Sequence, residues 1–234
     1  MVKEPTPICE KISEGAAMLG PLLGFAMSSL LFFNAHADAS VGDETMNFKI
    51  FLEEQEIGWH RFTLITNGEE LEVSSEAIMD FTVLLIKKVE YRHQARELWR
   101  DGCLQSFSAT TRRDKKVITV SGSINSGQFV VQQKDKKIQL GSCVKSFAYW
   151  KPEWIEDDFL LNVETGKYTP VSLQVKKQPT IGITTKILGL PKTEILLEYD
   201  KSGVWQSLES KVRLVGKLRY KRVEERVGEA DEIF

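Results

Sequence analysis

The sequence predicts a mainly β protein: one strongly curved antiparallel sheet, half-barrel or barrel-like with roughly a dozen strands, around a short helical plug. Three observations carry this. After residue 45, apolar and polar residues alternate with a period of two in one stretch after another, the pattern of strands with one buried face. Asn67–Gly68 and Asp101–Gly102 are two-residue hairpin signals, because type I′ turns need positive φ at both central positions. The stretch Cys143–Trp154 breaks the alternation: Cys143, Phe147, Trp150 and Trp154 recur at helical spacing, with Pro152 as a breaker. A sheet with that many strands has to curve or double over, since a flat one leaves long open edges.

The chain has 234 residues, 42% hydrophobic and 27% charged, which suits one globular domain with a substantial core. With 31 Lys and Arg against 33 Asp and Glu there is no overall basic field, which argues against nucleic acid as a partner. Ala16–Phe33 is an apolar run followed by Asn34–Ala35–His36–Ala37, where Ala35 and Ala37 form the small-x-small pattern of signal peptidase sites. Residues 1–37 are therefore expected to be a signal peptide cleaved after Ala37, with an uncleaved N-terminal membrane anchor as the alternative. The protein is expected in the periplasm or outside the cell, with no integral membrane span after cleavage. Cleavage removes Cys9 and leaves Cys103 and Cys143, so a disulfide between these two is expected in an oxidising compartment. By chain entropy a bridge closing a loop of about 40 residues contributes about 4 kcal/mol.

Residues 38–45 read as a loose lead-in and residues 46–221 as a single β-rich domain. The first strand falls near Phe48–Leu52 and the second over 57–66. The third puts Leu71, Val73, Ser75, Ala77, Met79 and Phe81 on one face. A long fourth strand, 88–100, has Val89, Tyr91, His93, Ala95, Glu97 and Trp99 on one face. Counting back from a two-residue turn places Trp99 opposite Leu104, Glu97 opposite Ser106 and His93 opposite Thr110. That gives a half-polar inner surface suited to a lined cavity. Short meander strands follow over 117–122, 128–133 and 137–140, then the plug, to which 154–162 adds a helical turn. Strands return over 169–177, 184–188, 193–199, 204–210 and 212–221, and 222–234 is a charged tail.

Several short motifs taken together resemble a known family. They are Ile-Gly-x-His-Arg-Phe at Ile57–Phe62, Tyr-Arg-His at Tyr91–His93, Trp-Arg-x-Gly-Cys-Leu at Trp99–Leu104 and Ser-Phe-Ala-Tyr-Trp at Ser146–Trp150. Leu160–Asn162, Thr165–Gly166 and Pro170–Val171 fit the same pattern. The chain is similar, over roughly Phe48 to Tyr220, to an uncharacterised family of exported bacterial proteins known only as domain of unknown function 6134. The resemblance implies an extracytoplasmic β-rich domain and brings no activity with it. A looser likeness, of architecture alone, is to the curved sheets of lipoprotein carriers.

The search for chemistry yields few candidates. His93 lies on the presumed inner face with Glu97, which is about 13 Å away along the strand and too far for a direct pair. His60, beside Arg61, reads as a solvated or half-covered strand residue. Glu156–Asp157–Asp158 lacks the alternating oxygen ligands and glycine of a calcium loop and reads as a solvated helix end, so no metal is expected. There is no nucleophile elbow, phosphate loop or Cys-x-x-Cys pair, and no cofactor is expected. Arg92, Arg96, Arg100, Arg112 and Arg113 form a basic stripe on the presumed outer face, suited either to keeping strands apart or to anionic lipid heads or acidic glycans. Trp59, Trp99, Phe147, Trp150 and Trp154 read as core or as the walls of an apolar pocket. The resulting expectation is a non-enzymatic binding or carrier module for a lipid or other apolar or amphipathic small molecule, held by Tyr91, His93, Glu97, Trp99, Phe147 and Trp150. The alternatives are a cell-envelope assembly protein with an envelope protein as partner, and a hydrolase or lyase using His93.

Overall fold

A computed structural model describes residues 42–83, 87–212 and 215–224. The expected signal peptide and nearly all of the charged tail lie outside the described residues. The first eight strands are β1 (Gly42–Leu52), β2 (Gln55–Asn67), β3 (Glu70–Val83), β4 (Lys87–Arg100), β5 (Cys103–Arg113), β6 (Lys116–Asn125), β7 (Gln128–Gln133) and β8 (Lys136–Leu140). After an irregular stretch come β9 (Phe159–Asn162), β10 (Lys167–Pro170), β11 (Ser172–Gln178), β12 (Ile183–Leu190), β13 (Thr193–Tyr199), β14 (Trp205–Val212) and β15 (Gly216–Val223). The expected lead-in is shorter than its reading, because Gly42–Thr45 already pair with β2.

Thirteen strands form one antiparallel sheet in the order β11-β12-β13-β14-β15-β1-β2-β3-β4-β5-β6-β7-β8. The first and last strands of the chain thus meet in the middle, with Ile50 opposite Tyr220. The two edges, β8 and β11, flank the irregular stretch and do not pair with each other. A flat sheet would hold β8 and β12 about 50 Å apart at normal strand spacing. Instead Ile138 of β8 and Leu190 of β12 line one groove, so the sheet winds round on itself without closing. Its inner face carries a single core cluster that includes Phe48, Trp99, Phe129, Leu188 and Trp205.

The plug exists, but it is not helical. Among the described residues its only helical piece is a 3-10 turn at Trp154–Glu156. Val144, Ser146, Ala148 and Trp150 are its buried residues, a period of two that marks extended chain. Small residues at Ser146 and Ala148 hide this alternation, while Cys143, Phe147, Trp150 and Trp154 stand out at helical spacing. The supposed helical turn after Trp154 instead becomes β9, paired with β10. Backbone bonds tie the plug to the wall and to this hairpin: Leu104 N–H donates to the Val144 carbonyl at 2.9 Å, and Leu161 N–H to that of Lys145 at 2.8 Å. Buried Lys186 of β12 donates to the Pro152 carbonyl at 2.6 Å and to Glu156 at 2.7 Å. The Tyr199 hydroxyl donates to the Tyr149 carbonyl at 3.0 Å. The expected Cys103–Cys143 disulfide is present and fastens the start of the plug to β5.

The β4–β5 register differs from the simple count. Trp99 does face Leu104, but a bulge between Leu98 and Trp99 then sets Glu97 opposite Phe107 and His93 opposite Thr111. Phe107, Ala109 and Thr111 therefore point inward instead of Ser106, Ser108 and Thr110, and the inner face is less polar than the count implies. Trp59 does not join the core; it faces outward, 36% exposed, with Arg61 over its ring.

Gly58 stands at φ +157°, where the β1–β2 register also shifts, and a Cβ there would meet the Ile78 carbonyl oxygen at 1.9 Å. Gly58→Ala is expected to destabilise the fold by several kcal/mol, since backbone must move; urea unfolding measures it. Replacing both Cys103 and Cys143 by Ser should cost about 4 kcal/mol in the same assay, from the freed loop.

Candidate functional site

Three cross-strand rows on the inner face of β2–β5 build the site. They are His60–Ala77–His93–Thr111, Phe62–Ser75–Ala95–Ala109 and Leu64–Val73–Glu97–Phe107. The middle row is small after Phe62, so the plug cannot press flat against the wall there. A cavity of about 200 Å³ remains. Its wall side carries His60, Phe62, Ser75, His93 and Glu97, and its plug side carries Ser146, Phe147, Tyr149 and Trp150. Leu190 and Ile195, from β12 and β13, close one flank.

Glu97 is 5% exposed and accepts a 2.8 Å hydrogen bond from the Ser146 hydroxyl. Burial pushes its carboxyl up to about 7, against the pull of the Ser146 hydroxyl and the Trp99 indole N–H. His93 is 7% exposed, with Nδ1 2.8 Å from Thr111 Oγ1, and burial lowers it to about 4. His60 faces inward too, because it shares a strand face with Phe62 and Leu64. Both its ring nitrogens are enclosed without a hydrogen-bond partner, and its ring lies 4.0 Å from that of Phe62. Burial, helped by the nearby His93, lowers it to about 3. Glu164 is a second carboxyl on the cavity lining, raised by burial and partly offset by Arg113 at 3.8 Å. Burial raises the hydroxyls of Tyr149 and Tyr220 above their ordinary range. Near neutral pH the cavity is thus lined by uncharged imidazoles and a half-protonated acid, all able to hydrogen-bond.

Of the residues singled out from sequence, His93, Glu97, Phe147 and Trp150 line the cavity together. Tyr91 and Trp99 do not. Tyr91 lies one row away under the Arg113 guanidinium, and Trp99 stacks on Trp154 beneath a separate groove near Gly42. His60, expected to be solvated or half-covered, is half-covered and also lines the cavity; Phe62 and Leu64 two and four positions on were the available signal for that face. Ser146 and Tyr149 had no such signal, since only the winding of the sheet brings them opposite β4.

The basic stripe is largely neutralised. Arg92 makes a two-pronged contact with Asp80, Arg100 pairs with Glu70, and Arg113 lies on the inner face because of the bulge. The acidic cluster is likewise engaged, with Asp157 bound by Lys145 at 3.1 Å and Glu156 by Lys186. Among the described residues no group of His, Cys, Asp and Glu is placed to hold a metal ion, and no helix is long and apolar enough to cross a membrane.

An open, wound antiparallel sheet with an internal plug defines a barrel-like β protein. A solved structure described as a beta-barrel-like protein of domain of unknown function DUF1849, from Brucella abortus, is similar in fold. The two align at a TM-score of 0.54 and 14% identity, over 79% of this chain and 96% of that one, which shows a shared fold. The chain matches the family described as Domain of unknown function (DUF6134) over residues 48–223 and belongs to it; no function is known for that family. No curated protein matches.

The buried groups set a pH profile. Glu97 has a folded value above its ordinary 4.5, so its contribution is complete below 4.5 and is lost as pH rises to about 7. The histidines have folded values below 6.5, so their contribution is complete above 6.5 and is lost as pH falls to about 4 for His93 and about 3 for His60. Stability from these three groups should peak near pH 6.5. Glu97→Gln should raise stability at pH 8 by about 3 kcal/mol and change it little at pH 5, read by urea unfolding at both.

Proposed function

We propose that the protein is an exported, non-enzymatic module that binds a small apolar or amphipathic molecule between the wound sheet and its plug. The observation that carries this is the cavity itself: mostly aromatic and aliphatic walls with His60, His93, Glu97 and Ser146 set among them. The size limits what fits inside. An apolar cavity of about 150 Å³ accepts benzene, so about 200 Å³ takes one ring or the end of a chain and not a whole lipid. A longer ligand has somewhere to go, because Leu190 also lines a second groove of about 670 Å³ at the seam where the sheet fails to close. The cavity would hold one end and the seam groove the rest.

The hydrogen bonding favours binding over hydrolysis. Ser146 donates to a carboxyl group and His93 is engaged with Thr111, so no serine is paired with a histidine that could activate it. The disulfide supports an oxidising compartment and hence export.

Native mass spectrometry of protein purified from the periplasm tests the proposal, and a bound small molecule is expected. Ser75→Leu, which fills the cavity from its floor, should remove that adduct while the fold survives with a loss of about 1–3 kcal/mol. An unchanged adduct in Ser75→Leu, or a clean ligand-free mass in the wild type, would overturn it.

A further inference from the structure

The seam groove has a chemistry of its own. Its walls include Ile138, Tyr168, Leu190 and Pro191, and Val131 closes the bottom. Three lysines share the lining: Lys136 from edge strand β8, Lys167 from β10 and Lys192 from the β12–β13 turn. They come from parts of the chain far apart in sequence and are brought to one groove only by the winding. Among the described residues no Asp or Glu lines this groove. Among the described residues none of the three lysines makes an ion pair, whereas Lys145, Lys186 and Lys217 each do. A lysine on an open strand edge is ordinary protection against mispairing, and that accounts for Lys136. The same holds for Lys167, on the free edge of the two-stranded β9–β10 ladder, but not for Lys192, which is in a turn.

Building on the ligand-binding reading above, we propose that the seam groove selects an anionic amphiphile, a single carboxylate or phosphate head held at Lys136, Lys167 and Lys192 with an apolar chain running past Leu190 into the cavity. The lysines supply an unneutralised positive rim, and Leu190 lines both the groove and the cavity, so the two spaces are adjacent there. The chain end then meets Phe62, Phe147 and Trp150. Near neutral pH the imidazoles of His60 and His93 are uncharged, the Glu97 carboxyl is half-protonated, and Glu164 on the same lining faces Arg113.

Titration calorimetry with probes matched in chain length tests this on the disulfide-intact protein. The probes are dodecanoate, dodecyl phosphate and dodecan-1-ol, each kept below its aggregation threshold. Dodecanoate or dodecyl phosphate should bind at least about tenfold tighter than dodecan-1-ol at low salt, and the advantage should shrink as salt screens the exposed lysines. The stronger of the two anions identifies the head as carboxylate or phosphate. The variant Lys136→Gln/Lys167→Gln/Lys192→Gln should bind the anions as weakly as the alcohol while binding the alcohol as before. Equal binding of all three probes by the wild type would overturn the anion selection and leave the ligand-binding reading standing. Binding of none would overturn both.

Discussion

A sheet that winds without closing has an inner face that nothing in the sheet itself can cover. That constraint organises the molecule. The chain spends residues 141–171, the connection between the two sheet edges, on filling its own interior. Such a filler cannot be a regular helix unless the hollow is wide and smooth, and here the walls are crowded by Trp99, Phe129 and Trp205. An extended chain threads the space better, but it arrives with backbone polar groups that need partners. Leu104, Lys186 and Tyr199 of the wall supply several of them, and the disulfide fixes where the thread begins.

Filling by an irregular segment leaves gaps where wall and plug are both small, and one gap became a cavity. Its polar lining follows from the same geometry. Ser146 sits at a buried plug position, and its hydroxyl needs an acceptor, which Glu97 provides. A buried carboxyl is costly when charged, and this one sits near neutrality as a result. Two imidazoles and two acids, one of them beside Arg113, supply the hydrogen-bonding groups of a mostly apolar chamber.

The fold class was legible because alternation is a local signal. The strand β4 shows it plainly, with Tyr91, His93, Ala95, Glu97 and Trp99 buried in turn. The disulfide was legible from the count of cysteines left after an assumed cleavage. The plug was misread because its alternation runs through Ser146 and Ala148, which weigh nothing in a hydrophobicity pattern. The β4–β5 register was misread because a bulge is one extra residue that no composition announces. Half of the site was out of reach for a different reason. Ser146 and Glu97 are 49 residues apart, and Leu190 lies farther still, so their meeting depends on how far the sheet winds. Trp59 was placed inside because it is large and aromatic, yet its parity on β2 puts it on the face with Arg61 and Thr63.

The pairing of β15 with β1 bears on how the molecule assembles. Every other ladder of the main sheet joins strands that are neighbours along the chain, so each can zip from its own turn. The β1–β15 ladder joins two meanders that otherwise form independently, and it must close a loop of most of the chain. Until it does, both meanders expose the open edges of what will be the most central strands. Closing that interior ladder carries the largest loop-closure cost in the sheet, and a chain emerging from its N-terminal end holds the β1 edge unpaired until β15 is available.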